Sequence, residues 1–369
     1  MKIITIKKIL SSFAGLVAVA AYGSVASGAI IYTTVDDTAG SSVFTQLYGV
    51  NDFGIVTGIY QPGGAGITTD NAFTDSGGTF TSVNCPTSTC TGAVASEAPG
   101  INNAGVIVGT YVVGLNDSFA GYMLSSGTYS TFVVNSGDCS PSCGAASGVN
   151  KGTLGQGINS SGDIVGTYSL STGTEGFYFN GTSFQPIAVA GVTYDALNAI
   201  NNSGEIGGDL CSGAPCATNP AQFGFTESTA GGTVTCYAAG TIGTISGCSS
   251  WVSLGVTGAS DTTITGIDGA GDIVGNFVLA GITEGFLYNQ GTGTTMVITP
   301  TSVGDPAATK VQIFGINNLG NEIVGSYTDA SGTNGLIGQI VPEPGTLALT
   351  FSSIGLVALW GRKRRFARP

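Results

Sequence analysis

The chain has 369 residues, of which 42% are hydrophobic and only 9% are charged, and it contains no histidine. Disordered segments combine low hydrophobicity with high charge, so this composition indicates a folded protein. The 10 basic and 22 acidic residues give a net charge of −12, which argues against nucleic-acid binding because phosphate neutralisation needs clustered Lys and Arg. Without histidine, the usual catalytic triads and histidine-ligated metal sites are excluded.

Residues 1–29 have the pattern of a secretory signal peptide. Three lysines precede an apolar run over 9–21. Small residues follow, and signal peptidase is expected to cleave after Ala26 or Ala29. A membrane anchor is the alternative, which the shortness of the run and the lack of a charged stop disfavour.

Residues 30–340 are organised by a repeated segment. Its second copy, 100–111, reads Gly-Ile-Asn-Asn-Ala-Gly-Val-Ile-Val-Gly-Thr-Tyr. The six copies span 49–60, 100–111, 157–168, 199–210, 266–277 and 315–327. The aliphatic residues after the first glycine are 51, 57, 42, 67 and 49 residues apart. A fixed core with a variable step is typical of one structural unit with variable surface loops.

Each core predicts a β-hairpin. Side chains in 107–111 alternate between two faces, and the preceding Asn-Asn-Ala-Gly has the chemistry of a tight turn. The glycine inside the core, Gly109 in this copy, is expected to let a neighbouring strand approach closely. In the fourth copy Gly207 and Leu210 replace the usual valine and aromatic residue, which predicts a distorted unit.

A second hairpin follows each core, as in 176–187, so that each unit has four strands. Six such units predict an all-β fold, a β-propeller of six four-stranded blades; a β-solenoid is the alternative. The sixth copy lacks its fourth strand, whereas an alternating strand, 30–35, precedes the first core. We therefore predict that 30–35 pair with 335–340 and close the ring, which leaves neither edge open to aggregation.

The eight cysteines are near neighbours in pairs, which predicts local disulfides in an oxidising compartment. The predicted pairs are Cys85 with Cys90, Cys139 with Cys143, Cys211 with Cys216, and Cys236 with Cys248. A zinc site is the alternative that this spacing allows, and the absence of histidine disfavours it.

The C-terminal segment 341–369 predicts a membrane-retention and sorting tail. A Pro-Glu-Pro motif precedes the uncharged stretch 345–360, and a basic cluster follows. The residues concerned are Pro342, Glu343, Pro344, Arg362, Lys363, Arg364 and Arg365. As a helix, the uncharged stretch would be about 24 Å long, somewhat short of a bilayer core of about 30 Å. The basic cluster is expected to stay cytoplasmic, which leaves 30–340 on the far side of the membrane.

Two resemblances follow from these patterns. The tail resembles the PEP-CTERM sorting signal of Gram-negative bacteria, which implies processing by an exosortase-type enzyme for release or surface attachment. The repeated phrase Gly-Ile-Asn-Asn-x-Gly-x-Ile-Val-Gly-x-Tyr resembles the HAF family of extracellular repeats over nearly all of 30–340. Membership of that family implies export and a propeller-like fold, and it implies no established activity.

Acidic residues dominate the segment between the two ends. In 30–340 only Lys151 and Lys310 oppose 21 acidic residues, a net charge of −19. Such a surface favours solubility and could attract cations or basic partners. Paired carboxylates are the remaining catalytic candidates, because a glycosidase needs two acids about 5–10 Å apart.

The carboxylate candidates are Asp36 with Asp37, Asp70 with Asp75, and the repeat-equivalent Asp163 and Asp272. The last two follow the turn glycine and are more simply solvated turn residues. Asp36 and Asp37 could help to hold calcium beside backbone carbonyls, although no EF-hand or nonapeptide calcium pattern is present.

The main functional prediction is an exported, non-enzymatic cell-surface or extracellular-matrix protein that binds exopolysaccharide or another envelope component. The alternatives are a carbohydrate-active enzyme that uses paired carboxylates and a structural or adhesive module that binds other proteins. The expected partners are signal peptidase, an exosortase-type enzyme, exopolysaccharide and, through 345–360, the membrane before processing. No catalytic residue, cofactor or metal ligand is assigned, and no nucleic acid is expected.

Overall fold

The computed structural model describes most of the compact unit Ala29–Val341. The described residues are 29–36, 42–62, 70–114, 118–134, 152–170, 173–192, 194–211, 222–241, 243 and 245–341. The predicted signal peptide and sorting tail lie outside these residues, apart from Ala29 and Val341 at their borders. Within the described parts of the chain, no helix has the length and hydrophobicity that a membrane crossing requires.

The described residues form 25 strands and one 3-10 turn, Pro300–Val303. After β1 (Ala29–Val35), the first three units are made of β2 (Ser42–Val50), β3 (Ile55–Pro62), β4 (Asn71–Ser76) and β5 (Thr79–Ser82); β6 (Ala93–Ile101), β7 (Ile107–Val113), β8 (Ser118–Ser125) and β9 (Thr128–Phe132); and β10 (Thr153–Ile158), β11 (Ile164–Ser169), β12 (Thr174–Phe179) and β13 (Phe184–Ile187).

The remaining three units continue the same order along the chain. They are made of β14 (Tyr194–Ile200), β15 (Glu205–Cys211), β16 (Phe223–Ser228), β17 (Thr235–Ala238) and β18 (Ser250–Ser253); β19 (Ala259–Ile267), β20 (Ile273–Leu279), β21 (Ile282–Asn289) and β22 (Thr294–Ile298); and β23 (Lys310–Ile316), β24 (Glu322–Thr328) and β25 (Thr333–Val341).

The all-β propeller predicted from the repeat is confirmed. Hydrogen bonds connect the described strands into four sheets, not the six separate sheets that one blade per repeat predicts. The difference arises because two sheets each hold two repeat units. One parallel contact, between Thr174 and Tyr194, joins the third and fourth units, and another, between Phe44 and Thr333, joins the last unit to the first.

The first strands of the units surround a central axis. Each of β2, β6, β10, β14, β19 and β23 contacts the next, and β23 contacts β2 again. The ring closes through β1, which pairs antiparallel with β25 from Ala29 opposite Val341 to Val35 opposite Gly335. The predicted closure by the N-terminal strand is therefore confirmed, and β25 is flanked by β24 and β1.

The Asn of each Gly-Ile-Asn turn bonds its own turn, as its sequence predicts. The Asn102 Oδ1 accepts hydrogen bonds from the backbone N–H of Ala104 and Val106, both at 3.0 Å. The Asn102 Nδ2 also donates to the carbonyl oxygen of Asn159 in the next unit, at 2.9 Å. One side chain thus shapes its own hairpin and attaches it to its neighbour.

A hydrogen bond between neighbouring turns crosses every junction between units, and in three of the six an Asn Nδ2 is the donor. The donor and acceptor pairs are Asn51 Nδ2 with Asn102 O, Asn102 Nδ2 with Asn159 O, Ser160 N with Asn202 Oδ1, Asn201 Nδ2 with Asp268 O, Gly269 N with Asn318 O, and Leu319 N with Asp52 Oδ1. Because the last pair joins the sixth unit to the first, these bonds form a complete circuit at one end of the ring.

The glycine inside each core allows the close approach predicted for it. A Cβ on Gly109 would overlap the Glu97 carbonyl and the Tyr122 ring, and a Cβ on Gly166 would overlap the Leu154 carbonyl. Any side chain here would push the second strand of the unit away from the first.

The fourth unit is not distorted in its strand pairing, contrary to the prediction. β14, β15 and β16 pair antiparallel with the bulge found in other units. The space beside Gly207 is filled by the Ile264 side chain of the next unit, and Leu210 is buried. An additional strand that the sequence analysis missed, β18, lies parallel to β17.

Two of the predicted disulfides are present, between Cys85 and Cys90 and between Cys236 and Cys248. Cys211 is also disulfide-bonded, and its predicted partner Cys216 lies outside the described residues. The predicted pair Cys139 and Cys143 lies wholly outside them.

Candidate functional site

A central channel of about 510 Å³ runs between the first strands of all six units. Each first strand contains a β-bulge just before the last Gly or Ala of the strand. A bulge leaves one residue out of the ladder and re-aims its side chain. The residues at this position all line the channel; they are Tyr48, Pro99, Gln156, Asn198, Thr265 and Phe314. We call them the bulge ring.

An aliphatic collar narrows one end of the channel. Its members are Val50, Ile101, Ile158, Ile200, Ile267 and Ile316, all less than 10% exposed. They line both the channel and a second cavity of about 60 Å³ beside the turn asparagines. The wall at the other end includes the partly exposed Asp261 and Thr283. The bulge ring thus lies between an apolar end and a polar end.

A pair of carboxyl groups lies at the channel wall in the second unit. Glu97 lines the channel, and its carboxyl group hydrogen-bonds to the carboxyl group of the buried Asp70. Burial, together with the neighbouring Asp70 charge, raises the pKa of Glu97 to about 7. Burial raises the pKa of Asp70 as well, but hydrogen bonds from the Gln61 Nε2, at 2.5 Å from Asp70 Oδ1, and from Glu97 oppose that rise. The proton of the pair therefore resides on Glu97.

A second buried carboxyl group, Asp209, lines the channel from the fourth unit. Burial raises its pKa to about 6, while hydrogen bonds from two amides oppose the rise. The Asn198 Nδ2 donates to Asp209 Oδ1 at 2.8 Å, and the Gln222 Nε2 donates to Oδ2. Asp209 is thus ionised at pH values at which Glu97 still holds its proton.

The bulge ring has an aromatic side and an amide side. Tyr48 and Phe314 come from the adjacent first and sixth units, and their rings meet edge to face with centroids 5.1 Å apart. Gln156 and Asn198 come from the third and fourth units. In a ring of six units the third neighbour lies opposite, so the aromatic pair faces the two amides across the channel.

The carboxylate pairs predicted from sequence are not brought together as predicted. Asp75 accepts a hydrogen bond from Gly78 N at 2.8 Å in the turn that follows β4, and Asp70 is paired with Glu97 instead. Asp36 is largely exposed, although partial desolvation and the Asp329 charge raise its pKa. Asp37 lies outside the described residues. Asp70 and Glu97 are 27 positions apart in sequence and become neighbours because the first and second units pack side by side.

Asp163 and Asp272 serve turns, but they are not both solvated as predicted: Asp163 is half-buried and Asp272 is buried. Asp163 accepts a hydrogen bond from Asn159 Nδ2 at 3.1 Å. Asp272 accepts bonds from Asn289 Nδ2 at 2.6 Å and Gln290 N at 2.8 Å. Among the residues that the structure describes, no three acidic or cysteine side chains have an arrangement that could hold a metal ion.

Sequence reasoning missed Glu97, Asp209 and the bulge ring. A signal was nevertheless present, since the position before the first Gly or Ala of each core carries a different residue in every copy. A position with six different residues in six copies, beside a glycine or alanine that hardly changes, indicates that its side chain is not required by the fold. The same alignment shows Asp209 where other copies have Thr110 or Thr167.

No protein-family model and no curated protein matches this chain. Among solved structures, a Trypanosoma rangeli sialidase in complex with the inhibitor DANA has 10% identity and a TM-score of 0.46, covering 90% of this chain and 60% of its own. The polysaccharide lyase Uly1 has 11% identity and a TM-score of 0.38, covering 80% and 76%. A glycosyl hydrolase from Bacteroides ovatus has 9% identity and a TM-score of 0.34, covering 86% and 98%.

These likenesses concern the fold, and the chain spans about 60% of the length of the sialidase. All three proteins carry names of carbohydrate-active enzymes. The prediction of a non-enzymatic protein that binds exopolysaccharide is corrected on this point, since these three structures carry the names of enzymes and not of matrix-binding proteins. That prediction overlooked the channel, because the side chains that line it come from separate repeat units.

Proposed function

We propose that this chain is an exported carbohydrate-active enzyme that hydrolyses glycosidic bonds in its central channel. The observation that carries the proposal is the Glu97 carboxyl group, which lines a cavity of about 510 Å³ and has its pKa raised to about 7 beside Asp70. A general acid must hold a proton at its working pH. Burial against a second carboxyl group supplies that condition here.

The two channel carboxyl groups suit opposite roles. Glu97 would give its proton to the oxygen of the leaving sugar as the glycosidic bond breaks. Asp209 would take a proton from a water molecule whose oxygen forms the new bond to the anomeric carbon. Environments that push two pKa values apart are a general means of assigning acid and base, and the amide donors on Asp209 favour its ionised form.

The test is the release of reducing ends from polysaccharides extracted from the producing strain. Glu97→Gln and Asp209→Asn are each expected to lower the rate by about 100-fold or more, the usual contribution of a general acid or base. The wild-type rate should peak between about pH 6 and 7, because Asp209 must be ionised and Glu97 protonated.

The matched control is Asp163→Asn, which removes a turn carboxylate outside the channel and should leave the rate unchanged. Thermal melts of all three variants separate lost chemistry from lost folding. A folded Glu97→Gln variant with wild-type activity, or a wild-type protein that pulls down the polysaccharide without cleaving it, would contradict the proposal.

We further propose that the chain reaches the cell envelope by its two terminal signals and is processed by an exosortase-type enzyme. The support is the order of the Pro-Glu-Pro motif, the apolar stretch and the basic cluster in the sequence. Replacing Arg362 to Arg365 with serine should change the fractionation and the mass of the mature protein without altering its melting temperature. An unchanged mass and location would refute the sorting role.

A further inference from the structure

The channel wall is acidic and has no opposing positive charge. Glu97, Asp209 and Asp261 line it, and none of the described residues along it is Lys or Arg. A carboxylated sugar would meet like charges in a partly desolvated site without a cation to pair with. Interactions between like charges strengthen as water is excluded, so this wall disfavours uronic and sialic acid residues.

The bulge ring provides complementary surfaces for a sugar ring without charge. A pyranose has an apolar face of C–H groups and a polar rim of hydroxyl groups. The Tyr48 and Phe314 rings form an apolar surface on one side, and aromatic side chains supply apolar contact with fixed geometry. Ligand pockets of about 300–1,000 Å³ commonly combine such walls with a few polar groups.

The amides opposite the aromatic pair have hydrogen-bonding capacity to spare. Among the described residues, the Gln156 side chain has no hydrogen-bond partner, although it lies half-buried at the channel wall. Asn198 uses its Nδ2 twice, toward Asp209 and toward the Ile264 carbonyl. A half-buried amide without a partner is costly unless water or a ligand satisfies it.

We propose that the channel selects sugar residues without a carboxylate group, with the apolar face of the sugar against Tyr48 and Phe314 and its hydroxyl groups toward Gln156. This inference rests on the proposed function, since it names the substrate class of the same site. It assigns specificity to the bulge ring, and it assigns discrimination against acidic sugars to Asp209 and Asp261, because Glu97 holds its proton as the general acid.

The experiment measures sugar binding to the mature Glu97→Gln protein by calorimetry at low ionic strength and pH 8. The probes are glucose, galactose and N-acetylglucosamine oligosaccharides, with glucuronate, galacturonate and sialic acid as the charged counterparts. We expect the uncharged probes to bind about tenfold more tightly than the acids. Added Tyr48→Ala or Phe314→Ala should weaken that binding about tenfold, as the loss of one aromatic contact does.

Phe53→Ala is the matched control, because Phe53 is 74% exposed and does not line the channel, and it should leave binding unchanged. Tyr48→Phe, which keeps the ring, should also bind. Equal or tighter binding of the acids, binding that survives both alanine substitutions, or no binding of any uncharged probe would overturn the inference. These outcomes are distinct from failure of the proposed function, in which the wild-type protein binds uncharged sugars but releases no reducing ends.

Discussion

Single turn residues in this ring form hydrogen bonds both within their own hairpin and to the neighbouring unit. The asparagine of each repeat turn satisfies its own hairpin through Oδ1 and, in several units, reaches the next unit through Nδ2. Asp268 occupies this position in the fifth unit. Its Oδ1 accepts bonds from Ala270 N and Asp272 N, both at 2.8 Å, as an asparagine would. When the Asp268 carboxyl group is ionised, however, its second oxygen cannot donate a hydrogen bond as the Nδ2 of an asparagine does.

The charge on Asp268 is therefore expected to destabilise the folded protein. Burial and the neighbouring Asp272 charge raise the pKa of Asp268 to about 7. A carboxyl group whose pKa is higher in the folded state contributes stability below its unfolded pKa, near 4, and this stability is lost as pH rises through 7. Asp268→Asn should raise the free energy of unfolding by about 1–3 kcal/mol at pH 8 and by much less at pH 5.

Thermal melts of wild type and variant between pH 5 and pH 8 provide the measurement. The wild-type melting temperature should fall over this range, since the raised pKa values of Glu97, Asp195 and Asp209 act in the same direction. The reverse change, Asn102→Asp, should be destabilising at pH 8. If Asp268→Asn melts below wild type at pH 8, the charge of Asp268 is not what limits stability there.

At the scale of strands, the repeat fixes the inner part of each unit and leaves the outer part variable. The fourth unit is an example: its inner strands β14, β15 and β16 pair regularly, although two residues of its repeated segment differ from the other copies. Its extra strand β18 is tied to β17 by the disulfide between Cys236 and Cys248. The ring of Trp251 on β18 meets Phe223 edge to face at 5.0 Å. The longest step of the repeat thus holds an added strand and not only a loop.

At the scale of the whole molecule, two sets of contacts close the ring. β1 supplies the fourth strand of the last unit, and the Thr34 hydroxyl lies 3.1 Å from the Tyr327 hydroxyl on β24. Asp52 contributes a second closure, because its carboxylate accepts a bond from Leu319 N at 2.9 Å and one from Asn103 Nδ2 at 2.6 Å. The first unit is thereby joined to both of its neighbours.

Removal of residues 29–35 from the mature chain is expected to destabilise the entire ring. It would strip β25 of one partner and remove the contacts made by the half-buried Ile30, Tyr32 and Val35. Half-burial of three such side chains corresponds to about 2–4 kcal/mol. Urea unfolding should show this loss as one cooperative shift of the midpoint.

The control for this deletion is Ile31→Ser, because Ile31 is 59% exposed on the same strand and should change stability little. A truncated protein with the midpoint of the intact one would show that β1 is dispensable for closure. Increased association of the truncated protein would fit an unpaired edge at β25.

The sequence predicted much of the fold and little of the candidate site. Turn residues, alternation and the internal glycines are local features, so the hairpins around Asn102 and Gly109 could be predicted without knowledge of their neighbours. The missing strand of the sixth copy even predicted the partner of β1. The pairing of Glu97 with Asp70 could not be predicted in this way, because it depends on how two adjacent units pack.

By itself, the sequence determined the repeat, the strand pattern, the two local disulfides seen here and the N-terminal strand that completes the last unit. These follow from short-range chemistry and from the need to satisfy sheet edges. Only the tertiary structure decided that one bulged residue from each unit faces a common channel, and that Glu97 and Asp209 share it with raised pKa values. The reason is physical: burial and the opposition of units across a ring exist only after the chain has closed on itself.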